Sequence, residues 1–210
     1  MIKDSVTLID DESIYSWAHS INMSMEILLE RLALKKANEV LDALSSADAL
    51  TGVYNRIGLT RYAEKLLYED RKKNRDTLIL FADINRLKFI NDTYGHENGD
   101  LAIRTVAETL KQVCPENSLV VRYGGDEFVV YIKNAASDDA HRYMDEFQRE
   151  ISHLIMSGGE HVTVSASAGG VAFIGGGEDF VSLCRSADNM LYDVKRNGKG
   201  TFKIKGAKNM

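Results

Sequence analysis

The chain is poor in cysteine and proline, with two of the first and one of the second in 210 residues. Cys114 and Cys184 stand 70 positions apart, with no CxxC spacing and no cysteine-histidine cluster, which argues against a disulfide framework or a structural zinc site. A reducing cytoplasm is the expected compartment. The single proline beside sixteen glycines excludes collagen-like and proline-rich linker classes. No apolar run approaches the roughly 18 residues that a membrane-spanning helix needs, and MIKDSVTLIDDES carries acids where a secretory leader would carry an apolar core. No membrane segment and no leader are therefore expected. Positive charge is also short: a net charge of -5 disfavours non-specific nucleic-acid binding, which depends on neutralising phosphates. A small phosphorylated substrate held by a few local cations remains compatible.

What is present, 44% hydrophobic and 27% charged residues, suffices for one domain with its own core plus an appendage of a few dozen residues. Residues 1 to about 20 are acidic and irregular, with Tyr15 and Trp17 as isolated aromatics. From Ile21 to Ser46 there is no glycine or proline. Ile21, Met25, Leu28 and Leu32 form one apolar seam, and Leu34, Ala37, Leu41 and Leu44 form a second, out of phase with the first. The spacing predicts a helix resembling a broken coiled coil, free either to cap its own domain or to pair with a second copy. Further on, helices and strands alternate. Residues 52–73 read as a helix, TLILFADI (77–84) as a buried strand, and Gly99 to Val113 as a helix. SLVVRY and EFVVYIK flank Gly124, Gly125 and Asp126 as a hairpin. A helix over 137–156, the alternating HVTVSASAGGVAF, a GGGEDF loop, a helix from Val181 to Arg196 and a final TFKIK strand complete the chain. The order predicts an α+β fold, a ferredoxin-like layer of mixed, mostly antiparallel sheet covered by helices.

Asp83 ends a buried strand, where a carboxylate is costly to desolvate without a cation. Asp126 and Glu127 sit in the hairpin turn, so if the two strands are neighbours, three carboxylates meet at one edge of the sheet. Hard divalent cations such as Mg²⁺ would compensate such a cluster, and two of them would suit phosphoryl transfer. Alternatively, Asp126 is simply a turn former beside glycine. The turn from Asn85 to Lys88 offers backbone N–H groups and a charge to phosphates by position only. Lys195, Arg196 and Lys199 complement either a helix dipole or a triphosphate. Asn91 and Asp100 flank the loop DTYGHENG and could read a guanine edge, unless Asp100 only caps the helix that follows. His96 lies in the same stretch, either against a substrate or in solvent.

The string Gly124-Gly125-Asp126-Glu127-Phe128 resembles the signature of the GGDEF family, bacterial diguanylate cyclases. DALTGVYNR (48–56), DINRLKFINDTYGHENGD (83–100) and ADNMLYDVKRNGKG (187–200) resemble further motifs of that family, in family order. The resemblance implies a nucleotidyl-cyclase-like fold over residues 48–210, with 1–47 as an N-terminal stub and a signalling or dimerising helix. It implies condensation of two GTP into cyclic di-GMP with release of two pyrophosphates. Asp83, the Ile84 carbonyl, Asp126 and Glu127 would bind Mg²⁺ or Mn²⁺, two ions per site. Asp126 or Glu127 would deprotonate the attacking 3′-hydroxyl. Lys88 would stabilise the transition state, Asn91 and Asp100 would recognise guanine, and His96, Arg122, Lys195 and Lys199 would contact the nucleotide.

The chain departs from the family pattern at several positions. Asn85 stands where a second Asp is common, and Lys199 and Gly200 stand where Arg and Asn are usual; lysine keeps the charge but loses the bidentate fork. The inhibitory RxxD site is absent, because Pro115 and Ser118 occupy its positions. A two-fold symmetric product implies a homodimer facing itself. The family places a sensor upstream; twenty residues cannot form one, so the chain is expected to be a fragment or to take its signal by another route, an upstream sensor or a partner protein being possible. A catalytically silent GTP-binding module is the rival reading, which intact Asp83, Asp126, Glu127, Asn91 and Asp100 oppose. Residues 1–47 hold eight acids against four basic residues, so most of the net negative charge belongs to the appendage.

Overall fold

The structure, a computed structural model, describes residues 11–135, 137–152, 154–155, 159, 161–174 and 178–206. The chain divides into two compact units, 1–45 and 46–210. The first is helix α1, Asp11–Ser46, which starts ten residues before the expected Ile21. Nothing between Asp11 and Ser20 breaks a helix. Ile21, Met25, Leu28 and Leu32 of the first seam and Leu34 and Leu41 of the second are all more than half exposed.

The second unit is built on a five-stranded sheet in the order β2-β3-β1-β6-β7, with β1 Asp76–Ile84, β2 Leu119–Arg122, β3 Glu127–Lys133, β6 Ala166–Ile174 and β7 Phe202–Lys205. Only the β6–β7 pair is parallel. A two-stranded ribbon joins β4 Leu154–Ile155 to β5 His161–Val162. Strand β1 is apolar at both alternations because both of its faces are covered. Leu78, Leu80, Ala82 and Ile84 face one layer with Ile90, Val106, Leu110, Met144 and Phe147, from α3 (Leu87–Tyr94), α4 (His96–Val113) and α5 (Ser137–Ile151). Ile79 and Phe81 face the other, with Leu59, Leu67, Leu183 and Leu191 from α2 (Arg56–Lys72) and α6 (Phe180–Asn197). Helix α6 lies so close to β6 that a Cβ at Gly169 would run into the backbone of Ala187, Met190 and Leu191. The expected α+β layer of mixed, mostly antiparallel sheet is thus observed.

Within the second unit, several boundaries also differ from expectation. Helix α2 starts at Arg56, since Asn55 caps it through Oδ1, which accepts from Ile57 N–H and Gly58 N–H. DTYGHENG is no loop: α3 and α4 meet at Gly95, where Asn98 Nδ2 donates to the Tyr94 carbonyl and Gly99 N–H to the Gly95 carbonyl. HVTVSASAGGVAF splits, because 163–165 leave the ladder between β5 and β6. The helix expected over 137–156 stops at Ile151; part of its end and part of GGGEDF lie outside the described residues. No helix among the described residues is long and apolar enough to cross a membrane.

Candidate active site

Register assembles the acids. Asp83 lies opposite Glu127 of β3 on one side and Ser167 of β6 on the other. Side chains at directly paired positions point to the same face, so Asp83, Glu127 and Ser167 all point to the α6 side. The hairpin turn is fastened to this corner by backbone bonds: Ile84 N–H donates to the Asp126 carbonyl at 3.0 Å, and Tyr123 N–H to the Glu127 carbonyl at 2.8 Å. The Glu127 carboxylate stands over Gly124, where a Cβ would come within 2.7 Å of Oε2.

These carboxylates resist ionisation. Burial raises the pKa of Asp83 above the ordinary aspartate value and the charge of Asp126 adds to it, while Lys195 and Lys199 pull it down without cancelling the rise. Burial, then Asp83 and Asp126, likewise raise Glu127. Lys195 of α6 answers part of this charge, its Nζ 2.8 Å from Asp83 Oδ2. The donor set at this corner is hard oxygen, short of positive charge, and suits a divalent cation of the Mg²⁺ type. Among the described residues no three acids, histidines or cysteines converge as a ready-made metal cage.

Beside the acids, Asp188, Asn189, Leu191, Tyr192 and Lys195 line an open cavity of about 330 Å³. Asp188 is a residue that motif reading passed over. Its charge also raises Glu127. The available signal was its spacing: seven residues, nearly two helical turns, put it on the face of α6 that carries Lys195.

On the far side of Asp83, Lys88 projects exposed from the first turn of α3. Asn91, near the end of α3, lays its side-chain amide against Gly99 of α4, where a Cβ would meet Oδ1 and come within 2.8 Å of Cγ. The α3–α4 junction therefore sets Asn91 against Gly99, the residue before Asp100. Asp100 does not cap α4, which begins four residues earlier at His96 with Gly95 as its cap residue. With the capping role gone, Asp100 is an exposed carboxylate in the second turn, and His96 is an exposed residue of the first.

Arg122 has partners within the protein. Its Nη1 donates to both Asp48 carboxylate oxygens at 3.2 and 3.3 Å, and Nε and Nη2 donate to the Gly125 carbonyl at 3.2 and 2.9 Å. Burial opposes the Asp48 charge, but the bonds from Thr51 and Arg122 outweigh it and hold the carboxyl below the ordinary value. Arg122 thus ties the signature turn to the first turn of the domain. Pro115 and Ser118, at the positions of the inhibitory site, form a turn closed by Ser118 N–H to the Pro115 carbonyl at 2.8 Å.

The class that this fold and site define is an α+β domain carrying its acids on a hairpin beside the end of a central strand. The chain belongs to the GGDEF family: residues 45–201 match the family profile described as "Diguanylate cyclase, GGDEF domain". It is 31% identical over 170 residues to the bifunctional diguanylate cyclase/cyclic di-GMP phosphodiesterase MucR of Pseudomonas aeruginosa, covering 81% of this chain and 25% of MucR. It is 32% identical over 165 residues to diguanylate cyclase DgcM of Escherichia coli, covering 79% of this chain and 40% of DgcM. The chain therefore spans well under half the length of either relative. The GGDEF domain of DgcB from Caulobacter crescentus, solved in complex with c-di-GMP, superposes with a TM-score of 0.71 at 27% identity over 76% of this chain and 95% of that one. The coiled coil and GGDEF domain of the same protein give 0.72 at 25% identity over 92% and 100%.

Proposed function

We propose that the protein is a diguanylate cyclase that condenses two GTP into cyclic di-GMP and releases two pyrophosphates. The observation that carries this reading is the register of Asp83 against Glu127, with Lys195 2.8 Å from Asp83, at the corner where the signature hairpin is fastened. In the reaction the 3′-oxygen of one GTP bonds to the α-phosphorus of the other, the bond from that phosphorus to the pyrophosphate oxygen breaks, and the hydroxyl proton is taken up. Asp83, Asp126, Glu127 and the Ile84 carbonyl would hold Mg²⁺ or Mn²⁺, two ions per site; when bound, these lower the pKa of the attacking hydroxyl and neutralise the leaving group. Asp126 or Glu127 receives the proton.

Lys195 and Lys199 bind the phosphates, and Lys88 stabilises charge in the transition state. Asn91 and Asp100 read the guanine edge, Asp100 accepting from ring N–H and exocyclic amine, and His96 lines the nucleotide site. Arg122 acts through the turn it holds, as a positioning residue. Each domain carries one GTP, so the working form is a homodimer. Helix α1 supplies the pairing element: a helix with its apolar seams in water is marginal alone and gains most from a partner. The chain works in the cytoplasm, downstream of a sensor or partner protein.

The test is incubation with GTP and Mg²⁺, alongside ATP, across protein concentrations, with products identified by mass spectrometry. Cyclic di-GMP from GTP only, at a specific activity that rises with protein concentration, is expected. Its absence from an assembled dimer would refute the assignment.

A further inference from the structure

Two of the positions at which this chain departs from its family's pattern, Asn85 and Gly200, meet in space through a third residue. Asn85 follows β1 directly, two residues beyond Asp83, and its side chain is buried. A buried amide needs its partners, and both are present. Nδ2 donates to Ser165 Oγ at 3.0 Å, and Oδ1 accepts from Ser167 Oγ at 2.8 Å. The backbone N–H of Asn85 also donates to the Ser165 carbonyl at 2.8 Å, extending the β1–β6 ladder by one residue. Ser167 is fully buried opposite Asp83, and its Oγ accepts from Gly200 N–H at 3.2 Å. A hydroxyl has one proton. Because the Gly200 N–H takes an acceptor position, the Ser167 proton goes to Asn85, and an unbroken neutral relay runs from the backbone of residue 200 to the strand end that carries Asp83.

Lys199 stands between Gly198, at φ +138°, and Gly200, at φ +84°. Glycines on both sides give its backbone wide freedom, so something outside residues 198–200 has to fix the lysine. At Gly200 the requirement is conformational rather than spatial, since a Cβ there would approach nothing nearer than 3.8 Å. The left-handed turn aims the N–H at Ser167. Two further bonds close the loop, Ala168 N–H to the Thr201 carbonyl at 3.0 Å and Thr201 Oγ1 to the Gly198 carbonyl at 3.2 Å. From the opposite layer, Gln148 of α5 bonds the Ala166 carbonyl through Nε2, steadying the backbone between the two serines.

We propose that Asn85 and Ser167 form an uncharged latch that holds the Gly198–Thr201 loop, and with it Lys199, in place beside the acidic corner. Both are positioning residues. The proposal rests on the reading of Lys199 as a phosphate ligand, and it gives Asn85 a role that an added carboxylate beside Asp83 would fill only by bringing another negative charge to a corner already short of cations.

The test uses the full chain and 3′-deoxy-GTP, which cannot cyclise, with Mg²⁺, and reads affinity by calorimetry and amide exchange by mass spectrometry. Lys199→Ala and Ser167→Ala are each expected to weaken binding about five- to tenfold, with the double variant less than about twofold weaker than either, because the two act as one unit. Ser167→Ala and Asn85→Ala are both expected to speed exchange of the Gly200 amide. Asn85→Asp, which still accepts the Ser167 proton, should keep that amide protected, a rescue that loss of packing would not give. Additive losses in the double variant, or a Gly200 amide unchanged by both Ser167→Ala and Asn85→Ala, would overturn the latch. Wild-type affinity in Lys199→Ala would instead remove the phosphate reading on which it stands, leaving the exchange result to judge the latch by itself.

Discussion

Replacing Gly99 by alanine separates guanine recognition from folding. Gly99 is a buried position inside α4, and the added methyl would occupy the place of Asn91 Oδ1, so the Asn91 amide must swing away. Two effects on stability oppose each other. Alanine gains up to about 1 kcal/mol over glycine in intrinsic helix propensity, and pushing a side chain off its rotamer costs about 0.5–1.5 kcal/mol. The thermal midpoint should therefore move by no more than a few degrees either way. Nucleotide binding has no such compensation. If Asn91 reads guanine as proposed, one neutral hydrogen bond to the base is lost, about 0.5–1.5 kcal/mol, or roughly 2- to 12-fold in affinity for GTP. Initial rates over GTP concentration, 3′-deoxy-GTP affinity and a thermal melt read all three quantities. Asn91→Ala should lose the same factor, and Gly99→Ala in that background should cost nothing more. Unchanged GTP affinity in Gly99→Ala, or losses that add in the double variant, would refute the argument. An Asn91→Ala variant with wild-type affinity would instead remove Asn91 from the guanine site.

Two further outcomes follow from the electrostatics. Glu127 has a folded-state pKa above its ordinary value, so ionising it opposes folding: the penalty is present above the folded pKa and vanishes below the unfolded one, near 4.5. Glu127→Gln should abolish product formation while raising the thermal midpoint of the nucleotide-free protein at pH 7, and that gain should shrink as the pH falls towards 4; a lowered midpoint at pH 7 would contradict the sign. Asp48 is the opposite case, a carboxyl held below its ordinary value, so its contribution is present at neutral pH and is lost only as the pH falls through the folded pKa. Arg122→Lys cannot bridge the Asp48 carboxylate and the Gly125 carbonyl together, and should cost about 1–3 kcal/mol at pH 7. Amide exchange over residues 123–127 should rise with it, and turn amides as protected as in the wild type would show that Arg122 does not hold them.

Legibility in the sequence followed the range of the interaction. Strand β1 was readable because covering both of its faces makes its apolar run continuous, and the two strands of the hairpin were marked by glycines between β-rich segments. The pairing of Asp83 with Glu127 was readable only as a condition, since periodicity shows which residues form a strand but not which strand is its neighbour. Local polar chemistry misled at two places. Asn98 and Gly95 satisfy the ends of α3 and α4 against each other, so a stretch rich in Gly, Asn and Asp is a helix junction and Asp100 is freed from capping. DESIYSWAHS lacks apolar periodicity yet is helical, because nothing in it breaks the helix that continues into the seams. The side-chain bonds from Asn85 to Ser165 and Ser167, and from Arg122 to Asp48, join residues 74 to 82 positions apart through polar side chains that carry no period. These long-range polar contacts tie the signature turn to the first turn of the domain and join the end of β1 to β6 beside the Lys199 loop. Single acids could therefore be named from the sequence, but the framework that aims them had to come from the fold.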